Sequence, residues 1–489
     1  MATVLLTACT SSTTQPFPTA SNDASTLTWK KCHGKFQCAT LKVPIDYTDN
    51  SLGTFDIAVI RYRDANQRNR IGSLVLNPGG PGASGIEYAR NAEFSINPDV
   101  LERYDIVGFD PRGVSKSSPI HCLKGSEQDA SFAGDPKPDN GTEYRQGLKE
   151  SQEFIKKCIA RTPFLENYTT ANTARDMELL RQALGDEKLN YMGFSYGTYL
   201  GTLYAQQFPH NVGRFVLDGA VDPTISIEEQ TVVQAQAFDQ ALAEFIADCS
   251  GQKDCPLPTN ATPQFFTDLF NRVSKQPLTM NSGKSIRSIT EGLVVIGVIS
   301  ALYDDVSGWP LLRIAIAMAQ QGDGTAFASL ADIYHGRKSD GTYFDNQNDA
   351  NAIIECLDWT QFKSNSQIRS SARRYTTAAP VFGPYVAYSR ITCNFLNKAL
   401  GRTQITTDQN TVQIEKTATP ILIIGTTQDP ATPYAGAVAL SKYIKGSRLI
   451  TFQGEGHTGY GRGSACVDGA VDRYLTKGDI PLKNLTCHS

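Results

Sequence analysis

"LNYMGFSYGTYLGTLYAQQFP", residues 189–209, decides how this chain is read. Its opening is a short apolar run of the kind a buried strand makes. From Gly197 onward the residues suit a helix, which ends at Pro209. Between the two stands Gly193-Phe194-Ser195-Tyr196-Gly197, a serine with a glycine two places before and two places after. A nucleophile elbow needs that spacing, because the sharp strand-to-helix turn has no room for larger side chains at either place. The pattern is common by chance; the strand before it and the helix after it give it weight. The start of a helix also favours negative charge developing near Ser195.

The flanking sequence repeats the same rhythm. "GSLVLNPGGPG" (72–82), "YDIVGFDPRGVSKSS" (104–118) and "VGRFVLDGAVDP" (212–223) each read as a short apolar strand running into a loop. "TFDIAVIRYR" (54–63) alternates apolar and polar residues, as a half-covered strand does, and "TTANTARDMELLRQAL" (169–184) has helical spacing. Strands alternating with helices imply an α/β fold with a mostly parallel, doubly wound sheet. Over residues 225–410 the rhythm stops, and the sequence reads as helices with no clear buried strand. It resumes at "TPILIIGTTQDPATP" (419–433) and "SRLITFQGEGHTGYG" (447–461). The expected layout is therefore a tether over 1–27, a first catalytic part over 28–224, a helical cap over 225–410 and a second catalytic part over 411–489.

An elbow serine demands two partners, in the chain order Ser, Asp or Glu, His. Asp429 follows "ILIIGTTQ" directly, and His457 follows "RLITFQGEG" on a short glycine-rich loop. In such a set His457 takes the proton from Ser195, and Asp429 orients the imidazole and stabilises its charged form. His33, His121, His210, His335 and His488 lack that context and read as surface or structural residues. Thr432 either caps the helix that follows or hydrogen-bonds Asp429, and capping is the plainer reading. An oxyanion hole needs two backbone donors, one of them on the residue after the nucleophile, Tyr196. The loop "NPGGPGASG" (77–85) would supply the second, with Gly80 the choice. The same loop looks like a phosphate-binding loop, but no GxxxxGK[ST] is present and a nucleotide is not expected.

Composition and charge limit the alternatives. The net charge of −3 over 489 residues gives no nucleic-acid footprint, and no 18-residue apolar window exists to span a membrane. Leu6-Thr7-Ala8 before Cys9 resembles a bacterial lipobox in which Cys9 is the lipidated residue, with a Ser/Thr/Pro-rich tether over 10–26. Ahead of it the stretch is short for a whole signal peptide and has no basic region, so it reads as a shortened signal. Ten further cysteines lack metal spacing, and their even, dispersed set suits an oxidising, exported setting. Sequence alone cannot fix their pairing. Neighbours in chain order are the expectation: Cys32 with Cys38, Cys122 with Cys158, Cys249 with Cys255, Cys356 with Cys393, and Cys466 with Cys487. No metal and no cofactor are expected.

Taken together, "NPGGPGASG", "YDIVGFDPRGVSKSS", "GFSYGTYLGTLYAQQFP", "FVLDGAVDP", "DPATPY" and "GEGHTGYG" resemble the signatures of the prolyl-aminopeptidase-like serine peptidases. The likeness is nearest to secreted actinobacterial tripeptidyl-aminopeptidases and envelope lipoprotein hydrolases with a TAP-like C-terminal segment. It runs over roughly residues 28–487. It implies the α/β-hydrolase fold, a helical cap inserted between strands 6 and 7, and Ser195, Asp429 and His457 as the triad. One departure is that Asn77-Pro78 stand where simple prolyl aminopeptidases carry histidine, which weakens proline-only specificity.

An aminopeptidase must hold a free α-ammonium group at a fixed distance from its serine, and carboxylates do this through charge-assisted hydrogen bonds. Candidates are Glu228, Glu229 and Asp222, just beyond the strand that opens the stretch 212–223, and Glu87 after the glycine loop. For each, a solvated helix-face charge is the plainer reading. "AAPVFGPYVAYSR" (378–390) is apolar and aromatic enough to line a pocket or to fill a core. The expected partner is a peptide or protein N-terminus, with membrane contact only through lipid on Cys9. The main alternative is a carboxylesterase or lipase, since both chemistries pass through an acyl-serine. A binding module of the same fold is a third reading, and the ordered triad weighs against it.

Overall fold

The computed structural model describes residues 27–488 except 65–66, 68, 282–285, 359–362, 403–413 and 415. Cys9 and its tether lie outside the described residues. In chain order the strands are β1 (Lys30–Cys32), β2 (Phe36–Pro44), β3 (Thr54–Tyr62), β4 (Gly72–Asn77), β5 (Tyr104–Phe109), β6 (Leu189–Phe194), β7 (Val212–Asp218), β8 (Leu278–Asn281), β9 (Ile286–Ile289), β10 (Leu422–Gln428), β11 (Arg448–Glu455) and β12 (Leu485–His488). Ten of them form one sheet, in the order β1-β2-β3-β5-β4-β6-β7-β10-β11-β12. The β1–β2, β2–β3 and β3–β5 pairings are antiparallel. From β5 to β12 every pairing is parallel.

Every residue of β4, β5 and β6 is buried, as helices on both faces require of a parallel strand. Alternate residues serve the two faces. Val75, Val107, Tyr191, Leu217 and Ile423 enter one core, while Leu74, Ile106, Met192, Val216 and Ile424 enter the other. This arrangement places the loops after β4, β6, β7, β10 and β11 along one edge, the carboxyl edge where open α/β sheets bind ligands.

The inserted segment differs from the expected all-helical cap in two ways. It contains the antiparallel hairpin β8–β9. It is also divided between cores. Phe238, Phe245, Phe270, Leu293 and Leu312 build a core of their own. Ile353, Ile354 and Leu357 of helix Gln347–Asp358, and Leu396 of helix Ile391–Ala399, pack instead into the main core beside the sheet. Setting aside the three-residue β1, the insertion falls between the sixth and seventh strands of the large sheet, as expected.

The ten described cysteines are joined in chain order, 32–38, 122–158, 249–255, 356–393 and 466–487. Cys122–Cys158 ties the loop after β5 to the 21-residue helix Gly141–Arg161, whose N-cap Asn140 accepts from Thr142 N and Glu143 N. Among the described residues no helix is long and apolar enough to cross a membrane.

Candidate active site

Ser195 sits between β6 and helix Tyr196–Gln207 with φ 56° and ψ −124°. A non-glycine residue in such a conformation costs roughly 1–3 kcal/mol and persists only where its surroundings hold it. Here Ser195 N donates to Asp218 O at 2.8 Å, and Ser195 O accepts from Thr198 N at 2.8 Å and from Thr198 Oγ1 at 2.6 Å. The flanking glycines leave no space. A Cβ on Gly193 would lie 2.5 Å from Gly197 O, and one on Gly197 would lie 2.8 Å from Asn77 Oδ1.

Asp429 directly follows β10; it is 2% exposed and surrounded by donors. Its Oδ1 accepts from Ala431 N at 2.9 Å and Thr432 N at 2.8 Å. Its Oδ2 accepts from Thr432 Oγ1 at 2.9 Å and Thr458 N at 3.1 Å. His457, on the loop after β11, places Nδ1 2.9 Å from both carboxylate oxygens. An ionised carboxylate only accepts, so Nδ1 carries the proton and Nε2 is left as the basic nitrogen. The Thr432 hydroxyl thus serves the carboxylate; Pro433, not Thr432, stands at the N-cap of the next helix.

The histidine is positioned from both sides. His457 N donates to Tyr303 O at 2.9 Å, and the Tyr303 ring meets the imidazole edge-on at 5.3 Å. Tyr303 closes helix Glu291–Leu302 of the inserted segment. On the sheet side, a Cβ on Gly219 would lie 3.2 Å from His457 Cε1. Gly219 directly follows Asp218, whose carbonyl holds the Ser195 amide. The end of β7 therefore touches the serine and the histidine at consecutive residues.

Asp218 was not singled out in the sequence, where it falls within the strand-and-loop stretch 212–223. It is wholly buried, and its carboxyl accepts from Gly459 N at 2.9 Å and Tyr460 N at 2.8 Å, fastening the histidine loop to the sheet. Burial pushes this carboxyl up to about 7, against the opposing pull of the two amides.

Gly80, Ser195 and Tyr196 line one cleft of about 1160 Å³, and Tyr303 and Thr432 face the same space. The loop bearing Gly80 is held by Asp110, which accepts from Ser84 Oγ at 2.5 Å and Lys116 N at 3.2 Å. Gly80, Gly82 and Gly85 follow a strand at the spacing of a dinucleotide loop. Gly82 and Gly85 are used here for packing, since added Cβ atoms would meet Gln347 O at 2.6 Å and Phe109 O at 2.2 Å.

The acidic residues expected to face the cleft are rearranged. Glu87 pairs with Arg90 at 2.7 Å. Glu228 pairs with Lys363 and Arg374, and Glu229 with Arg374. None of the three lines the cleft; the carboxylates that do are Asp222, Glu355 and Asp358. Glu355 is paired with Arg390 at 3.1 Å. Asp358 accepts from Thr170 N at 2.8 Å, and burial pushes it up to about 7. Thr170 also bonds the Tyr196 hydroxyl, tying this wall to the elbow. Of the run 378–390, Arg390 alone lines the cleft, while Val381 and Phe382 are buried in the cap core.

The sequence pattern of the α/β hydrolase fold family matches residues 72–305, and that of TAP-like proteins matches residues 379–487. Serine protease Hip1 of Mycobacterium tuberculosis is 34% identical over 94% of the chain and 88% of that protein. The chain belongs to the α/β-hydrolase family. This hydrolase is also 35% identical to carboxylesterase B of Mycobacterium tuberculosis, over 92% of the chain and 86% of that protein. With the tripeptidyl aminopeptidase of Streptomyces coelicolor it shares 31% identity over 94% of the chain and 85% of that protein. It is an enzyme of the serine-hydrolase class.

Proposed function

We propose that this hydrolase is a serine aminopeptidase that releases short peptides, tripeptides among them, from unblocked N-termini. Ser195 Oγ attacks the scissile carbonyl while His457 Nε2 takes its proton. Backbone N–H groups of Gly80 and Tyr196 receive the oxyanion. His457, held by Asp429, then protonates the departing amine, leaving an acyl-Ser195 ester. Water activated by the same imidazole attacks that ester and frees the serine.

The observation that carries the peptidase reading is the acidic wall. Glu355 and Asp358 line the same cleft as Ser195, and a free α-ammonium group is the substrate feature such carboxylates recognise. The names of the Mycobacterium and Streptomyces relatives, a serine protease and a tripeptidyl aminopeptidase, point the same way. The carboxylesterase relative and the apolar stretches of the cleft favour ester hydrolysis as the second reading. Five disulfides support an exported enzyme, and lipid on Cys9 would hold it to the cell envelope.

Mass spectrometry after incubation with one peptide in unblocked and N-acetylated forms tests this. Release of short fragments from the unblocked form alone is the expected result. Cleavage of both forms defeats the exopeptidase reading, and turnover of p-nitrophenyl esters without any peptide cleavage gives the esterase.

A further inference from the structure

The cleft beside Ser195 continues as a groove between two helices. On the sheet side lies helix Tyr434–Tyr443, which turns Ala435, Val438, Ala439 and Lys442 toward the space. These positions fall at i, i+3, i+4 and i+7, one face of a helix. Facing it is helix Ile227–Ser250, which contributes Ile227, Gln230, Thr231 and Gln234 at the same spacing. Helix Ile227–Ser250 is fastened to the loops beside it: Gln234 Nε2 donates at 2.7 Å to Ala431 O, just before helix Tyr434–Tyr443, and Gln230 Nε2 at 2.7 Å to Asp222 O on the loop after β7.

The sheet-side stripe is small and apolar until its last member, which is a cation. Among the described residues, two basic side chains line the cleft. Arg390 is neutralised by Glu355. Lys442 is exposed and forms no ion pair among the described residues. From Ala435 to Lys442 the helix rises about 10 Å, which is the span of about three residues of extended chain.

Resting on the aminopeptidase reading above, we infer that Lys442 is a specificity determinant that binds a substrate carboxylate at the far end of this groove. An extended peptide reacting at Ser195 lays its backbone along the small side chains, where Ala435 and Ala439 leave room for it. The carboxylate that meets Lys442 is either the peptide's own C-terminus or an acidic side chain at that depth. In both cases the enzyme favours one peptide length or one acidic position, where an unmarked apolar groove would favour neither.

The test uses unblocked peptides of four to eight residues sharing one N-terminal sequence. Each is made as the free acid, as the C-terminal amide, and as the amide with Glu or Gln near its end. For the wild-type enzyme, kcat/KM should favour the free acid over the amide about fivefold at one length, the size of a single solvent-facing ion pair. That preference should shrink with added salt, vanish in Lys442→Met and persist in Lys442→Arg. A preference that follows Glu over Gln, with acid and amide ends equal, assigns the carboxylate to a side chain. Equal rates for all forms at every length, or a preference that survives in Lys442→Met, overturns the inference. If unblocked peptides are cleaved without such a preference, the aminopeptidase reading stands and the Lys442 site falls. Preference for the acid with equal cleavage of N-acetylated peptides reverses that outcome. Turnover of esters with no peptide cleaved removes both.

Discussion

Asp429 grips His457 Nδ1 with both carboxylate oxygens at 2.9 Å, and it does so while accepting three further hydrogen bonds from Ala431, Thr432 and Thr458 through their backbone amides. Those amides fix the carboxylate before the imidazole meets it. The arrangement selects the imidazole tautomer with its proton on Nδ1. Asp429→Asn presents an N–H toward the ring in one orientation and so disfavours that tautomer. In the proposed mechanism kcat falls about 10⁴-fold with KM little changed. Steady-state kinetics on a chromogenic ester, with near-UV circular dichroism to show an intact fold, checks this; a loss below tenfold removes Asp429 from the triad.

Thr432 offers a finer probe. Its hydroxyl donates to Asp429 Oδ2 at 2.9 Å and lies 3.3 Å from His457 Nδ1. Thr432→Val keeps the shape and deletes the donor. A hydrogen bond to a charged group contributes about 1.5–3 kcal/mol. If the carboxylate needs that bond most when the imidazole is charged, kcat drops about tenfold to a hundredfold. Thr432→Ser should recover most of the activity, and a Val variant with wild-type kcat would show the hydroxyl to be idle.

Much of this site was legible in the sequence, and the reasons are local. Ser195 could be read because the elbow spacing names both glycines: Gly193 is demanded by Gly197 O within the turn itself, although the nearest atom that demands Gly197 belongs to Asn77 at the end of β4. Asp429 and His457 could be read because each follows a short apolar strand directly. Of the cleft acids Asp222 was named from the sequence; Glu355 and Asp358 were not legible, because packing over long range selects them. Glu228 and Glu229 stand in the first turn of helix Ile227–Ser250, where they pair with Lys363 and Arg374. Glu355 and Asp358 face the cleft because Ile353, Ile354 and Leu357 of the same helix enter the main core. Nothing near them in sequence announces that this helix leaves the cap. The β8–β9 hairpin was missed because strands of four residues carry too little periodicity to detect.

The loop after β5 tests the scaffold beneath the site. Arg112 is fully buried and uses every N–H it has. It makes two bonds to Asp176, at 2.6 and 2.7 Å, and three to the carbonyls of Pro44, Ile45 and Asn167 at 3.0 Å. Removing one partner of such a pair leaves a buried charge with no counterion, so Arg112→Met should destabilise by about 3–5 kcal/mol. Lysine cannot rebuild the fork or reach three carbonyls at once, and Arg112→Lys should recover little. Urea midpoints measure both variants. The double variant Arg112→Met with Asp176→Leu should regain part of the loss, because no lone charge is then buried.

Asp218 carries the last prediction, and its sign follows from burial. Its carboxyl is raised from 3.8 to about 7, chiefly by desolvation, with Tyr460 N and Gly459 N pulling the other way. The remaining charges that face it are His457, which lowers the value, and Asp429, which raises it. In the unfolded chain this group ionises near pH 4, whereas in the native state it keeps its proton to about 7. Between those values the native state binds more protons, so this group's contribution to stability weakens as pH rises and is constant above the folded value. Asn at this position does not titrate. The wild-type enzyme should therefore gain stability relative to Asp218→Asn as pH is lowered from 8 to 5, read as the difference in urea midpoints at each pH. A difference that stays flat across that range would show that the buried carboxyl does not titrate there. The same variant weakens the grip on Gly459 and Tyr460 that seats the histidine loop. Its kcat should fall with KM nearly held, and Asp218→Glu, too long for the space, should not restore it.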